Sequence, residues 1–259
     1  MTGCCKTLRE TNVVPDNRQL LPIAAYTSAA ESLKSVWPRA LQAAITLVAI
    51  TALLLLYGTV QRLSETPVVT ASAVDRIIPF VPEGLYVYLL FFPLIVVVGA
   101  SVRWANFIVM LRACFLACGI AYILYLVFPT TAGLRPDRAG IASSVLSGLF
   151  RGLHNVDRYT NACPSMHVAI SWLCAKGFTA CHRNRRFLAW FVCSAVIVST
   201  LVTKQHTIVD IGSGILLAQF CWDLSCRFSH RRRTPSAELL QTELSESAVL
   251  AGTNQDKRP

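Results

Sequence analysis

This sequence predicts an all-α polytopic membrane protein, six transmembrane helices in a bundle with its chemistry at one end. Hydrophobic residues make up 54% of the 259 positions and charged residues only 15%, where an ordinary soluble domain carries about 25% charge. Mean hydropathy is +0.50. The charges are also bunched. None falls between Arg39 and Arg62, Glu83 and Arg103, Arg112 and Arg135, Arg158 and Lys176, or Arg186 and Lys204.

A helix of about 20 mostly apolar residues crosses a ~30 Å hydrocarbon core. These stretches, with a shorter sixth from Ile211 to Trp222 that follows His206 and Asp210, place spans near residues 40–60, 84–103, 106–127, 164–180, 187–204 and 206–224. Residues 1–39 form a polar leader, with a short interfacial helix expected around Ser28–Val36. Residues 40–226 form the membrane domain, and residues 227–259 a basic and then polar tail expected to be largely disordered. The first apolar run begins near Ala40, too far in for a cleavable signal peptide. Between the first two spans, Pro79 and Pro82 break an apolar run that is better placed at the interface than across the membrane. In the loop after the third span, Ile141–Leu153 has the pattern of a short amphipathic helix.

Basic residues set the orientation. With both termini inside, the inner segments collect Arg103, Lys176, Arg183, Arg185, Arg186, Arg227 and the Arg231–Arg233 run, while the outer loops hold only Arg62, Arg76, Arg135, Arg138, Arg151 and Arg158. That bias predicts cytoplasmic termini. It also accounts for the net charge of +10 through topology and anionic lipid, so no nucleic-acid partner is expected. Of the ten cysteines, only Cys163 falls outside, which leaves an intramolecular disulfide there without a partner.

Three places put ionisable or polar groups at the outer ends of spans, where a lipid-facing helix would not carry them. Arg135, in Gly133-Leu134-Arg135-Pro136, can hold two phosphate oxygens in its fork, or else a lipid headgroup at the interface. Cys163-Pro164-Ser165-Met166-His167 opens the fourth span. Proline suits a first turn whose free amides and positive dipole end attract an anion. The plainer alternative is a helix start with a satisfied histidine. His206 and Asp210 are four residues apart, so on a helix they share a face, and a carboxylate beside an imidazole fixes its tautomer and raises its basicity. A structural His–Asp pair is the alternative, but it leaves Lys204 and the other places at the same depth unexplained. Together these groups form a phosphoryl-transfer site: cationic clamps, a nucleophile, and an acid for the leaving group. Carboxylates are too few for a magnesium site and no Cys/His spacing suits zinc, so neither metal nor cofactor is expected.

Arg-Pro, then Pro-Ser-x-His, then His-x-x-x-Asp, in that order, resembles the type 2 phosphatidic acid phosphatase superfamily. That group includes lipid phosphate phosphatases, polyprenyl diphosphate phosphatases, and the inositol phosphorylceramide and sphingomyelin synthases. The similarity runs from about Pro79 to Ala218. It implies that His206 attacks phosphorus and becomes a phosphohistidine, that Asp210 orients it, and that His167 protonates the leaving alkoxide. Arg135, Ser165 and the Met166 amide would hold the phosphate. The departures from the common form lie at Phe128, where a lysine is usual, at Met166, where glycine is usual, and at Ser199-Thr200, where Ser-Arg is usual. Two phosphate-binding cations are thus missing, and Lys204 is expected to replace one. Thinning of this kind resembles the synthase-like branches. The expected function is a lipid phosphatase. A phosphotransferase with a ceramide, polyol or other lipid acceptor is the alternative, and a transporter or channel a more distant one. The expected partners are a lipid phosphate substrate and membrane lipids, and oligomeric state is left open.

Overall fold

The structure, a computed structural model, describes residues 37–64, 67–134, 144–157 and 160–231. Residues 1–36 of the polar leader, with the interfacial helix expected around Ser28–Val36, nearly all of the tail and Arg135 lie outside the described residues.

The chain is mostly helical. In order come α1 (Trp37–Leu63), β1 (Val68–Val69), α2 (Ala73–Ile77), α3 (Gly84–Leu89), α4 (Phe91–Ser101), α5 (Trp104–Val127), β2 (Thr130–Thr131), α6 (Ser144–Val156), α7 (Met166–Cys181), a 3₁₀ turn (Arg183–Arg185), α8 (Arg186–Val202) and α9 (Ile208–Arg231). Five segments among the described residues are long and apolar enough to cross a membrane: Arg39–Leu63, Gly84–Ser101, Trp104–Val127, Arg183–Val202 and Ile208–Ser229. This is an integral membrane protein. The second expected span is two helices meeting at Leu90, because Pro93 has no N–H to continue the ladder back to Leu89.

α7, where the fourth span is expected, has 16 residues, about 24 Å at 1.5 Å per residue. It makes up for that length by its position. It packs against α4, α5, α8 and α9 at once, and Val168, Ala169, Leu173, Cys174, Ala175 and Gly177 are buried along it. α1 lies against α4 and α5, and α3 against α8. The outward faces are apolar: Val48, Leu55, Ile123, Phe187, Leu216 and Phe220 are all exposed, as expected of surfaces that meet lipid tails. α6 is the amphipathic helix expected in the long loop. Leu146 and Phe150 turn inward to Leu85 and Tyr88, with Phe80 and Leu153 at the margin.

The helices alternate in direction, so the ends of α1, α5 and α8 and the starts of α7 and α9 gather at one pole. A feature that alternation of hydrophobicity does not announce ties the connections there together. β1 and β2 pair in parallel, Val68 with Thr130 and Val69 with Thr131, and the strand end is extended by Thr70 N donating to Thr131 O at 2.8 Å. Gly133 adopts φ +64 directly after, a left-handed conformation that suits glycine. The chain leaves the helix at Ile78, and through the Pro79–Val81 stretch Val81 N donates to Val202 O at the end of α8.

Candidate functional site

α7 begins at Met166 because Ser165 caps it. Its Oγ accepts from Val168 N at 3.4 Å, and its backbone N donates to Asp210 O at 3.0 Å, joining the starts of α7 and α9. The segment before it is held from α5 and β2. Tyr125 OH donates to Pro164 O at 2.5 Å, Ala162 N to Thr130 O at 3.0 Å, and Cys163 N to Thr130 Oγ1 at 2.8 Å. Gly214 on α9 allows the close approach: a Cβ there would sit 2.7 Å from Ser165 O.

His167, in the first turn of α7, sits among aromatic rings. Tyr88 and Phe91 lie 4.5 Å and 4.6 Å from it by ring centroid. Its Nε2 is buried without a hydrogen-bond partner among the described residues. The His206 ring is 5.7 Å away. Both histidines open on one cleft of about 100 Å³ between α1, α4, α5 and α7. Apart from the two histidines, Tyr57, Tyr122, Tyr125, Asp157 and Asn161 the walls are apolar, and among the described residues no lysine or arginine lines it.

His206 is not on α9, and here the spacing argument needs correction. The helix starts at Ile208, with Thr207 and Asp210 forming a reciprocal cap. Asp210 N donates to Thr207 Oγ1 at 3.4 Å, and Thr207 N donates to Asp210 Oδ2 at 2.7 Å. His206 precedes that cap. Its Nδ1 donates to Ala162 O at 3.1 Å, since a carbonyl oxygen can only accept, so the proton is on Nδ1 and Nε2 keeps its lone pair. Asp210 Oδ2 is 3.7 Å from Nδ1, close enough for charge but beyond a hydrogen bond. Asp210 Oδ1 is buried without a partner among the described residues. The tautomer is thus set by a backbone carbonyl, and the carboxylate supplies field. Asp210→Asn keeps an oxygen for the cap but removes the charge. It is expected to leave thermal stability near wild type while lowering kcat roughly 10²-fold, or about 2.7 kcal/mol, a part of the about 4 kcal/mol that a full ion pair at this separation is worth at an effective dielectric near 20. Steady-state turnover together with a melting curve checks this.

Lys204 is placed differently from the expectation. It is the second residue after α8, with φ +59, the left-handed position that commonly ends a helix and usually takes glycine. Its side chain is buried, and Nζ donates to Asp75 O at 2.7 Å and to Ile78 O. The ammonium is therefore engaged with the loop between α1 and α3. Burial lowers its pKa, and the neighbouring Asp75 partly restores it. Ser199 and Thr200 donate to carbonyls of their own helix, Val196 O and Ile197 O, at 2.6 Å and 2.7 Å. Phe128 is exposed.

Asp75 is the residue that sequence reasoning missed. It is 1% exposed. Oδ2 accepts from Ser72 N at 2.8 Å and from Ser72 Oγ at 2.5 Å, and Oδ1 accepts from Ile208 N at 2.8 Å. One carboxylate thus closes the cap of α2 and satisfies the first amide of α9. Burial pushes its pKa up, but those hydrogen bonds and the Lys204 ammonium outweigh it and hold it below the usual carboxylate range. The signal was present as Ser72-x-x-Asp75, a capping-box spacing. Thr70 adds a second link, its Oγ1 accepting from Thr207 Oγ1 at 3.2 Å.

Among the described residues, no group of three or more His, Cys, Asp or Glu is arranged to hold a metal ion. The described cysteines are free thiols, with Cys163 Sγ 3.2 Å from Ser213 Oγ.

A bundle pole carrying paired histidines and a carboxylate, fed by an apolar cleft, narrows the choice of family, and the family's own sequence pattern decides it: the PAP2 superfamily matches residues 56–222. The chain belongs to the PAP2 superfamily. The match runs from the last turns of α1 to the middle of α9 and takes in Asp75, Asn161, Ser165, His167, Lys204, His206 and Asp210. PAP2 proteins are in general phosphatases and phosphotransferases. No curated protein and no solved structure matches the chain.

Proposed function

We propose that this PAP2 protein is a lipid phosphatase that hydrolyses a lipid phosphate ester through a phosphohistidine on His206. The observation that carries the reading is the pairing in one cleft of two histidines with different surroundings. His206 is pinned through Nδ1 with Nε2 left nucleophilic, and His167 has an unpartnered Nε2.

The Nε2 lone pair of His206 forms a bond to phosphorus as the bond from phosphorus to the lipid oxygen breaks. His167, protonated when the anionic phosphate sits beside it, gives its proton to the leaving alkoxide. Asp210 steadies the positive charge that develops on His206. Water then enters, gives a proton to His167 and bonds to phosphorus, and the P–N electrons return to Nε2. Ser165, the Met166 amide and Arg135 hold the phosphoryl oxygens in this reading. The apolar walls of the cleft suit the tail of a lipid substrate.

α7 completes a six-span bundle with the site on the non-cytoplasmic face and both termini inside. Support comes from the charges. Arg103, Lys176, Arg183, Arg185, Arg186 and Arg227 gather at the pole opposite the histidines, the excess of basic residues that marks a cytoplasmic side.

Transfer to a second lipid or polyol is favoured by one specific observation, the absence of lysine and arginine from the described cleft lining. A dianionic monoester wants more positive charge than a phosphodiester does. Purified protein given a labelled lipid phosphate, with and without a ceramide or polyol acceptor, separates the readings. The phosphatase reading predicts free phosphate at the same rate in both. Label moving to the acceptor in place of free phosphate overturns it.

A further inference from the structure

Asn161 belongs to none of the family motifs, yet it occupies an unusual position. It is 3% exposed and has φ +74, a left-handed backbone that a side-chain-bearing residue adopts at a cost and that recurs where a site needs it. Its Oδ1 accepts from Ser64 Oγ at 2.9 Å, which fixes the amide plane. Its Nδ2 is buried and has no hydrogen-bond partner among the described residues. The side chain lines the same cleft as His167 and His206. The next residue, Ala162, supplies the carbonyl that holds His206 Nδ1, so the amide and the nucleophile's anchor share one stretch of backbone.

We infer that Asn161 binds substrate, its Nδ2 donating a hydrogen bond to a non-bridging phosphoryl oxygen as His206 attacks. A buried donor with no partner is unfavourable in a resting protein and is satisfied when an anion arrives. The donor is neutral, and it stands in a cleft whose described lining carries no lysine or arginine. It therefore supplies directional hydrogen bonding to the phosphoryl group in a cleft short of formal positive charge. The inference rests on the phosphohistidine reading.

Two substitutions test it in full-length protein. Asn161→Asp keeps the shape and the Ser64 contact but turns a negative charge toward the phosphoryl group. Asn161→Gly removes the amide and is suited to φ +74, so it is expected to fold. Both should lower kcat/KM by about 10²-fold and weaken inhibition by orthovanadate, a phosphoryl mimic, to a similar degree. Melting behaviour should stay near wild type for the glycine variant. Wild-type kcat/KM and vanadate inhibition in Asn161→Gly overturn the inference, whatever the aspartate variant does. Labelling of wild-type His206 from a labelled lipid phosphate keeps the two claims apart. Absence of that label removes the underlying reading, whereas a labelled His206 with an unaffected glycine variant removes only the role of Asn161.

Discussion

His206→Gln is expected to abolish turnover, lowering kcat by at least roughly 10³-fold while the protein still folds. Glutamine carries an amide that can donate to the Ala162 carbonyl, now accepting from Nδ1 at 3.1 Å, but it has no lone pair able to attack phosphorus. Local order around the pole does not depend on the imidazole. The starts of α7 and α9 are joined by Ser165 N donating to Asp210 O, and α9 is capped by Thr207 and Asp210. Turnover of a labelled lipid phosphate checks the loss, and a thermal scan checks the fold. Activity within tenfold of wild type would mean that His206 is only part of the cap architecture and that the nucleophile lies elsewhere.

Asp75→Ala is expected to have the next largest effect, and it acts at a distance from phosphorus. Removing the carboxylate leaves Ile208 N and Ser72 N without their acceptor, and each buried unmet donor costs roughly 1–3 kcal/mol. It also strips the buried Lys204 ammonium of its neighbouring negative charge. The melting temperature should fall by several degrees or more. The turn from Lys204 to Thr207, which carries His206, then loses its anchor, and a misplacement of ~1 Å at a reacting group can lower kcat by about 10²-fold. Asp75→Asn should be intermediate in stability, because its oxygen can still accept from Ile208 N while its amide opposes the Ser72 donor. The acid side gives an independent check. The Asp75 pKa is depressed in the folded protein, so the stability it supplies is complete above the unfolded carboxylate value of about 3.9 and is lost as pH falls through the lower folded value. Wild type should therefore lose stability more steeply than Asp75→Asn below about pH 4. Parallel acid limbs would show that Asp75 carries no such coupling.

The helical membrane architecture was legible because it depends on length and apolarity, which uncharged stretches report directly. The limits were different in kind. α7 is short and buried on several sides, and only packing explains how its 16 residues hold a central place. Leu90 divides the second stretch through Pro93, a break visible in the sequence and outweighed there by hydropathy. For the site, His167, His206 and Asp210 were readable as a group, and the structure brings them to one pole. The relation between the last two was not. Four residues of spacing suggests one helix face, but Thr207-x-x-Asp210 is also a capping pattern, and it places His206 ahead of the helix against Ala162. Lys204 looked like a free cation because sequence shows charge and not partners, and its carbonyl acceptors on Asp75 and Ile78 lie over 120 residues away. Asp75 and Asn161 were missed for a related reason: each gains its position from contacts remote in the chain.

The central claim is a covalent bond between His206 and phosphorus. Purified protein mixed with a ³²P-labelled lipid phosphate and quenched in alkali within a single turnover should carry base-stable, acid-labile label on the peptide containing His206, with none in His206→Gln. Product forming at the wild-type rate while that peptide stays unlabelled, or label on another residue, would contradict it.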